Sequence, residues 1–250
     1  MNDFNKIVKI LRSKVIFKDE IHDIIDPDHR PEFNSQVSKL VYRLKANGDI
    51  ISLKAVYIVP DEEDKKLNSV DLEKYYLKLA KKYITQTCGS QYYISTKALE
   101  FHMKNYSIPE KICVINRDVN KRIKFANEIV FKTLKKKDAK TINLFARTFS
   151  YHNNIDIGLQ FKISCLELSL LESSLVDSIE EIAINTITKA IKKYGNILDH
   201  EIFENIAPYK YNMSFNRLKE LSRNINQDLY NLFLDCIKKN GNFVELRNIL

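Results

Sequence analysis

Tryptophan is absent from this 250-residue chain, and glycine and proline occur only five times each. The glycines, at 48, 89, 158, 195 and 241, are too scattered to build a P-loop, whose backbone must fold closely around phosphates. No GxSxG nucleophile elbow and no HExxH zinc motif occurs. "CGSQYYIS" holds a Gly89–Ser90 pair of the kind found in nucleotidyltransferase loops, but no paired carboxylates follow to hold a metal, which removes that reading. Cysteines at 88, 113, 165 and 236 form no CxxC and no Cys/His cluster, so reduced thiols packed mostly in the interior are expected, and no zinc site. Long apolar runs are missing too. None approaches the ~18 residues of a membrane span, and "MNDFNKIVKILRSK" has neither an apolar signal core nor a small-residue cleavage site. The expectation is a cytoplasmic protein with no catalytic residues, no cofactor and no metal.

Isolated side chains do not change that expectation. Histidines 22, 29, 102, 152 and 200 stand alone, and His102, in a predicted "ALEFHM" helix near Glu100, is expected to pack or to face solvent. Glu167 and Glu172 lie five apart, too far round a helix to share a face well, and are expected on the surface.

What is present is charge and apolar periodicity. The formal net charge is +8, and its distribution is uneven. Between Lys111 and Lys140 ten basic residues stand against three acidic ones, whereas residues 160–250 carry eleven basic and twelve acidic. Clustered cations are the footprint of a nucleic-acid surface. Arg117, Lys121, Arg122, Lys124, Lys135 and Lys136 are the candidate phosphate contacts, and a solvated lysine-rich loop at "LKKKDAK" explains part of the same run without any ligand.

Along the chain, Phe4, Ile7, Val8, Ile10 and Leu11 have helical spacing, and "KVIF" (14–17) is β-prone. Asp19 is placed to cap a helix bearing Ile21, Ile24 and Ile25, which the two prolines of "DPDHRPEF" stop. Asn34 or Ser35 then caps a helix with Val37, Leu40, Val41 and Leu44 at i, i+3, i+4 and i+7, and Asn47–Gly48 ends it. "DIISLKAVYIV" (49–59) reads as a hairpin turning near Leu53–Ala55. This order is that of a winged helix-turn-helix, over residues 1–62. Pro60 and "DEEDKK" read as a solvated linker. A second domain follows over 70–250. It has a helix at 70–84, another in "YYISTKALEFHM" (92–103) capped by Ser95 or Thr96, strands in "KICVIN", "EIVFKTL", "INLFARTF" and "LQFKIS", a small sheet spanning about 92–164, and a helical tail over 166–250. The predicted class is α+β: a winged helix-turn-helix followed by a mixed α/β domain with a helical C-terminal part.

On a wheel of 100° per residue, the four apolar residues of the third helix gather within about 100°. Ser35, Lys39, Tyr42 and Ala46 point the other way, flanked by Ser38 and Arg43. Lys39 and Arg43 suit guanine edges or phosphates; Ser35, Gln36 and Ser38 can bond either; Tyr42 suits a sugar or a phosphate. Lys54, in the hairpin turn, adds a phosphate or minor-groove contact. Any amphipathic helix exposes such residues, and the preceding helix and following hairpin are what favour DNA binding here.

Three stretches in this order resemble the AbiEi-type antitoxins of bacterial abortive-infection systems: "VSKLVYRLKANGDIISLKAVYIV", "QYYISTKALEFHMKNYSIPEKICVIN" and "KISCLELSLLESSL". The second is similar to a family pattern carried here by Tyr93, Ile94, Ser95, Ala98, Leu99, His102 and Pro109. The third is similar to a strand leading into Glu167, Leu170, Leu171 and Glu172. Thr96 and Met103 stand where the family commonly has glycine, and Leu168 where arginine is frequent. The resemblance implies a repressor that binds inverted repeats of double-stranded DNA in its own promoter. It also implies an antitoxin opposing a nucleotidyltransferase-like toxin without a stable complex. Residue patterns support the first half and are silent on the second. They leave open a protein-interaction module that neutralises a partner directly, and an orphan regulator without an antitoxin role.

Overall fold

The computed structural model describes residues 7, 10, 14–28, 30–53, 56–67, 72–95, 97–107, 110–124, 127–133, 144–175, 184–209 and 211–240. Over these it is a mixed α/β structure with eleven α-helices and two sheets, divided into two units, residues 1–82 and 83–250. Among the described residues, no helix is long and apolar enough to cross a membrane.

In the first unit, β1 (Val15–Phe17) leads directly into α1 (Lys18–Ile25). Asp19 does not take the expected cap position, because the helix begins at Lys18, two residues before a helix capped by Asp19 would, with Phe17 in the cap position. The Glu20 carboxylate reaches back to accept from the Phe17 N–H at 2.9 Å. A short 3-10 turn, Pro31–Phe33, runs into α2 (Asn34–Ala46). Neither Asn34 nor Ser35 caps this helix, since the 3-10 turn feeds it with helical backbone and no side chain takes the capping role. Its end is as expected. Gly48 adopts φ +68°, and the Asp49 N–H returns to the Leu44 carbonyl at 2.8 Å. Strands β2 (Ile51–Leu53) and β3 (Val56–Ile58) follow, and the three strands form an antiparallel sheet in the order β1-β3-β2. Ile16, Ile21, Ile25, Val37, Leu44 and Ile50 build the core, with Leu40 and Val41 partly buried against it. The first predicted helix lies largely outside the described residues; of it, Ile7 and Ile10 are helical.

The acidic run after Pro60 is not a solvated linker. It forms α3 (Glu62–Leu67), and its carboxylates have buried or charged partners. Lys14 and Lys74 bracket Asp61 at 2.8 and 2.7 Å, and together they hold its carboxyl well below the ordinary range. Tyr75 OH accepts from the Asp61 N–H at 2.9 Å and donates to buried Asp64 at 2.6 Å. Tyr75 and Lys74 belong to α4 (Leu72–Cys88). Further along α4, Lys82 donates to the Val15 carbonyl at 2.8 Å and pairs with Glu20. The first unit therefore runs to Lys82, past the boundary expected between residues 62 and 70.

The second unit carries a six-stranded sheet in the order β6-β7-β5-β4-β9-β8. Its strands are β4 (Tyr92–Ile94), β5 (Lys111–Asn116), β6 (Lys121–Lys124), β7 (Glu128–Thr133), β8 (His152–Asp156) and β9 (Gln160–Ser164). The parallel pairs are β4 with β9 and β5 with β7; the other neighbours are antiparallel. Tyr92–Ile94, ahead of the caps expected at Ser95 or Thr96, is a central strand buried on both faces, so it shows no alternation. The expected helix is confined to α5 (Lys97–His102). "INLFARTF", expected as a strand, contains α6 (Leu144–Thr148): Phe145, Thr148 and Phe149 recur at helical spacing, and the first two are buried.

Helices α7 (Leu166–Ser173), α8 (Ile184–Tyr194), α9 (His200–Ile206), α10 (Asn212–Ser222) and α11 (Gln227–Lys239) complete the unit. Every residue from Glu167 to Ser173 is buried, so α7 is a central helix and its two glutamates are not surface charges. Glu167 accepts from the Asp199 N–H at 2.9 Å, and Glu172 accepts from Tyr93 OH at 3.2 Å. His102 packs, its Nε2 2.8 Å from the Ser164 carbonyl, and burial pushes its pKa down. Cys113, Cys165 and Cys236 are free and buried, with Cys88 half-buried.

Candidate nucleic-acid interface

Helix α2 presents its polar side outward because Val37 and Leu44 are drawn into the core and leave only one side for water. Ser35, Gln36, Ser38, Lys39, Tyr42 and Arg43 are all exposed. Tyr42 is the most telling of them: 73% of it is accessible on a helix that had an apolar core within reach. Lys39 and Arg43, four apart, are neighbours one above the other on the helix surface. Lys45, also exposed, adds a third cation, its Nζ 5.2 Å from the Tyr57 ring centre. Lys54 lies outside the described residues.

The turn into α2 is held by a group that sequence reasoning passed over. Asp26 is 2% exposed and ends α1. Its carboxylate accepts from the Arg30 N–H at 2.6 Å and from Arg30 Nε at 3.1 Å. Burial alone would raise the Asp26 pKa, but the Arg30 backbone and guanidinium bonds outweigh it and hold the group below its usual value. The Arg30 guanidinium also lies 4.0 Å over the Phe33 ring. "DPDHRPEF" is thus more than a helix stop: it is a clamped turn that fixes where α2 begins. The i, i+4 spacing of Asp26 and Arg30 was the available signal.

Among the described residues, the central basic side chains do not all share one surface. Alternation along β6 puts Lys121 on one face of the sheet and Arg122 and Lys124 on the other. Lys121 Nζ sits 5.4 Å from the Phe131 ring centre, while Arg122 Nη1 is 3.9 Å from Glu128. Lys124 lines a recess of about 390 Å³ with Lys111, Asn127, Glu110 and Glu128, whose two carboxylates dilute its positive character. Arg117 is exposed beside Asp118, at 3.9 Å. Lys135 and Lys136 lie outside the described residues. The outer side of α2 is therefore the most coherent cationic and hydrogen-bonding surface that these predicted residues form. Neither models of known protein families nor curated proteins yield a match to this chain.

Proposed function

We propose that residues 1–62 form a winged helix-turn-helix that binds double-stranded DNA through the outer side of α2. In this reading the protein is a transcriptional regulator acting on its own promoter. The observation that carries it is the simultaneous exposure of Ser35, Gln36, Ser38, Lys39, Tyr42 and Arg43 on one helix. Support comes from the element order, in which α1 and the clamped turn precede α2 and an antiparallel hairpin follows it. A helix of roughly 10–12 Å diameter fits a major groove about 12 Å wide. Arg43 then reads a base edge, Lys39 and Lys45 neutralise phosphates, and the three small polar side chains complete the hydrogen bonding.

Fluorescence anisotropy on upstream and scrambled duplexes tests this assignment. Arg43→Ala should weaken binding to the upstream duplex by ~1–3 kcal/mol and narrow its preference over the scrambled one. Lys39→Ala should weaken both duplexes alike and lower the salt slope by about one. Unchanged affinity in the double variant means that another surface binds, or that none does. The antitoxin role rests on the family resemblance alone. Co-expression with the product of the neighbouring reading frame tests it: relief of toxicity without co-purification supports the role. A stable stoichiometric complex favours direct neutralisation, for which the exposed Tyr42 would be a natural anchor.

A further inference from the structure

Strand β8 carries a row of backbone groups that its one neighbour does not use. Among the described residues it pairs with β9 alone, antiparallel, from His152 opposite Ser164 to Asp156 opposite Gln160. Hydrogen bonds at the two ends of this pair fix its phase. The Cys165 N–H donates to the Tyr151 carbonyl at 2.8 Å, and the Ile157 N–H to the Leu159 carbonyl at 3.3 Å. Antiparallel ladders alternate between hydrogen-bonded and non-hydrogen-bonded pairs. Tyr151, Asn153, Ile155 and Ile157 therefore turn their N–H and C=O groups towards β9. His152, Asn154 and Asp156 turn theirs the other way. Asn153, Asn154 and Asp156 are exposed, with His152 and Ile155 half-buried, so this side of the strand lies at the surface.

Edge strands are ordinarily blocked by lysine, by proline or by a bulge. The sequence of β8, "HNNID", contains no proline, lysine or arginine, and its register with β9 runs through all five residues without a bulge. It remains to ask which strand fits it.

A second β8 fits every outward group. Two copies laid antiparallel about a twofold axis at Asn154 bring Asn154 opposite itself, and His152 opposite Asp156 of the second copy at both ends. Each of these three pairs exchanges two backbone bonds. Sliding either copy by two residues leaves an outward group of the strand without a counterpart. The side chains agree with this register, because no like charges face each other and an imidazole meets a carboxylate twice. His152 is held for that role: its ring stacks on Phe149 with centres 4.7 Å apart, and its Nδ1 bonds the Phe149 carbonyl, which leaves Nε2 for the carboxylate.

We propose that β8 is a self-association edge, through which two copies of this chain join their six-stranded sheets in an isologous dimer. A contact of five residues per copy is small, so the association is weak and concentration-dependent.

Sedimentation equilibrium of the full chain, from about 10 μM to about 1 mM, tests the edge. The average mass should rise from that of a monomer towards that of a dimer. Asn154→Pro removes an N–H that points away from β9, so the fold should persist by circular dichroism while the rise in mass is lost. Asn154→Lys, which sets two cations face to face on the axis, should act in the same way and serves if the proline variant does not fold. Crosslinking checks the register. Hydrogen-bonded antiparallel pairs have Cα atoms about 5.5 Å apart, within the span of a disulfide. Mild oxidation should therefore link Asn154→Cys into dimers, and leave Asn153→Cys, equally exposed but opposite Ile155, at the background of the parent's own cysteines. Three results overturn the proposal: a parent that stays monomeric throughout, a folded Asn154→Pro or Asn154→Lys that still dimerises, or linkage through position 153 equal to that through 154. None of these readouts involves DNA, so they stand apart from the function proposed above.

Discussion

Replacing Gly195 with alanine should destabilise the second unit by about 1–2 kcal/mol, although two general effects point the other way. Gly195 opens a 3-10 turn at the end of α8, and its backbone is outside the left-handed region, so alanine can adopt it. Removing a glycine also restricts the unfolded chain, which by itself stabilises by ~0.4–1 kcal/mol. Packing decides against the substitution. A Cβ there would lie 2.9 Å from Asn226 Nδ2 and 3.3 Å from Leu229 Cδ1. Asn226 is not free to swing away. Its Oδ1 caps α11 by accepting from the Leu229 N–H at 3.0 Å, and its Nδ2 donates to Asn196 at 3.0 Å. Losing the cap costs ~1 kcal/mol and the second bond ~0.5–1.5 kcal/mol, which together exceed the entropic gain. Urea unfolding followed by circular dichroism measures the difference, and a double-mutant cycle identifies its cause. Asn226→Ala alone removes both bonds and should cost ~1.5–2.5 kcal/mol. The double variant should cost no more than Asn226→Ala, because the new methyl group then fills vacated space. If Gly195→Ala is as stable as the parent, or if the two costs add, the steric account is wrong.

Two further outcomes follow from groups in the interior. Tyr75→Phe should leave buried Asp64 without its 2.6 Å hydrogen bond and the Asp61 N–H without its acceptor. The cost is ~1–3 kcal/mol, and limited proteolysis should cut faster between residues 60 and 72. Burial pushes the Cys88 and Cys236 thiols up to about 11 and Cys165 to about 12, so all three remain protonated at pH 8. Ellman's reagent should therefore react slowly with the native protein and rapidly in urea, with half-buried Cys88 leading; fast native reaction of Cys165 would contradict the packing.

How much was legible depended on whether the signal was local. Helix α2 was, since Val37, Leu40, Val41 and Leu44 repeat with one period and Gly48 ends the pattern. Strand β5 was, as an apolar run with β-branched residues. Strands β6 and β8 were not, because "KRIK" and "HNNID" hold almost no apolar residues and pair only because β7 and β9 supply the buried side. The acidic run at 61–66 looked like linker because Lys14, which neutralises it, lies 47 positions away, and Tyr75, which anchors it, sits on the next helix. Glu172 was misjudged for the same reason. Its neighbour Tyr93 is 79 positions away, and no window of sequence shows that a glutamate among leucines will be enclosed rather than solvated. The exposed side of α2 was correctly drawn from periodicity, while the clamp of Asp26 and Arg30 was hidden behind two prolines.

The placement of β6 and β8 has a consequence of its own. Each lies at an end of the six-stranded sheet and, among the described residues, pairs with one neighbour. An open edge invites a second molecule to extend the sheet, the route by which many proteins aggregate. Here one edge carries Lys121, Arg122 and Lys124, and the other is largely polar, ending at Asp156. A foreign strand docking on β6 would crowd three cations and strip water from them. Their charge makes extension of the sheet along that edge costly.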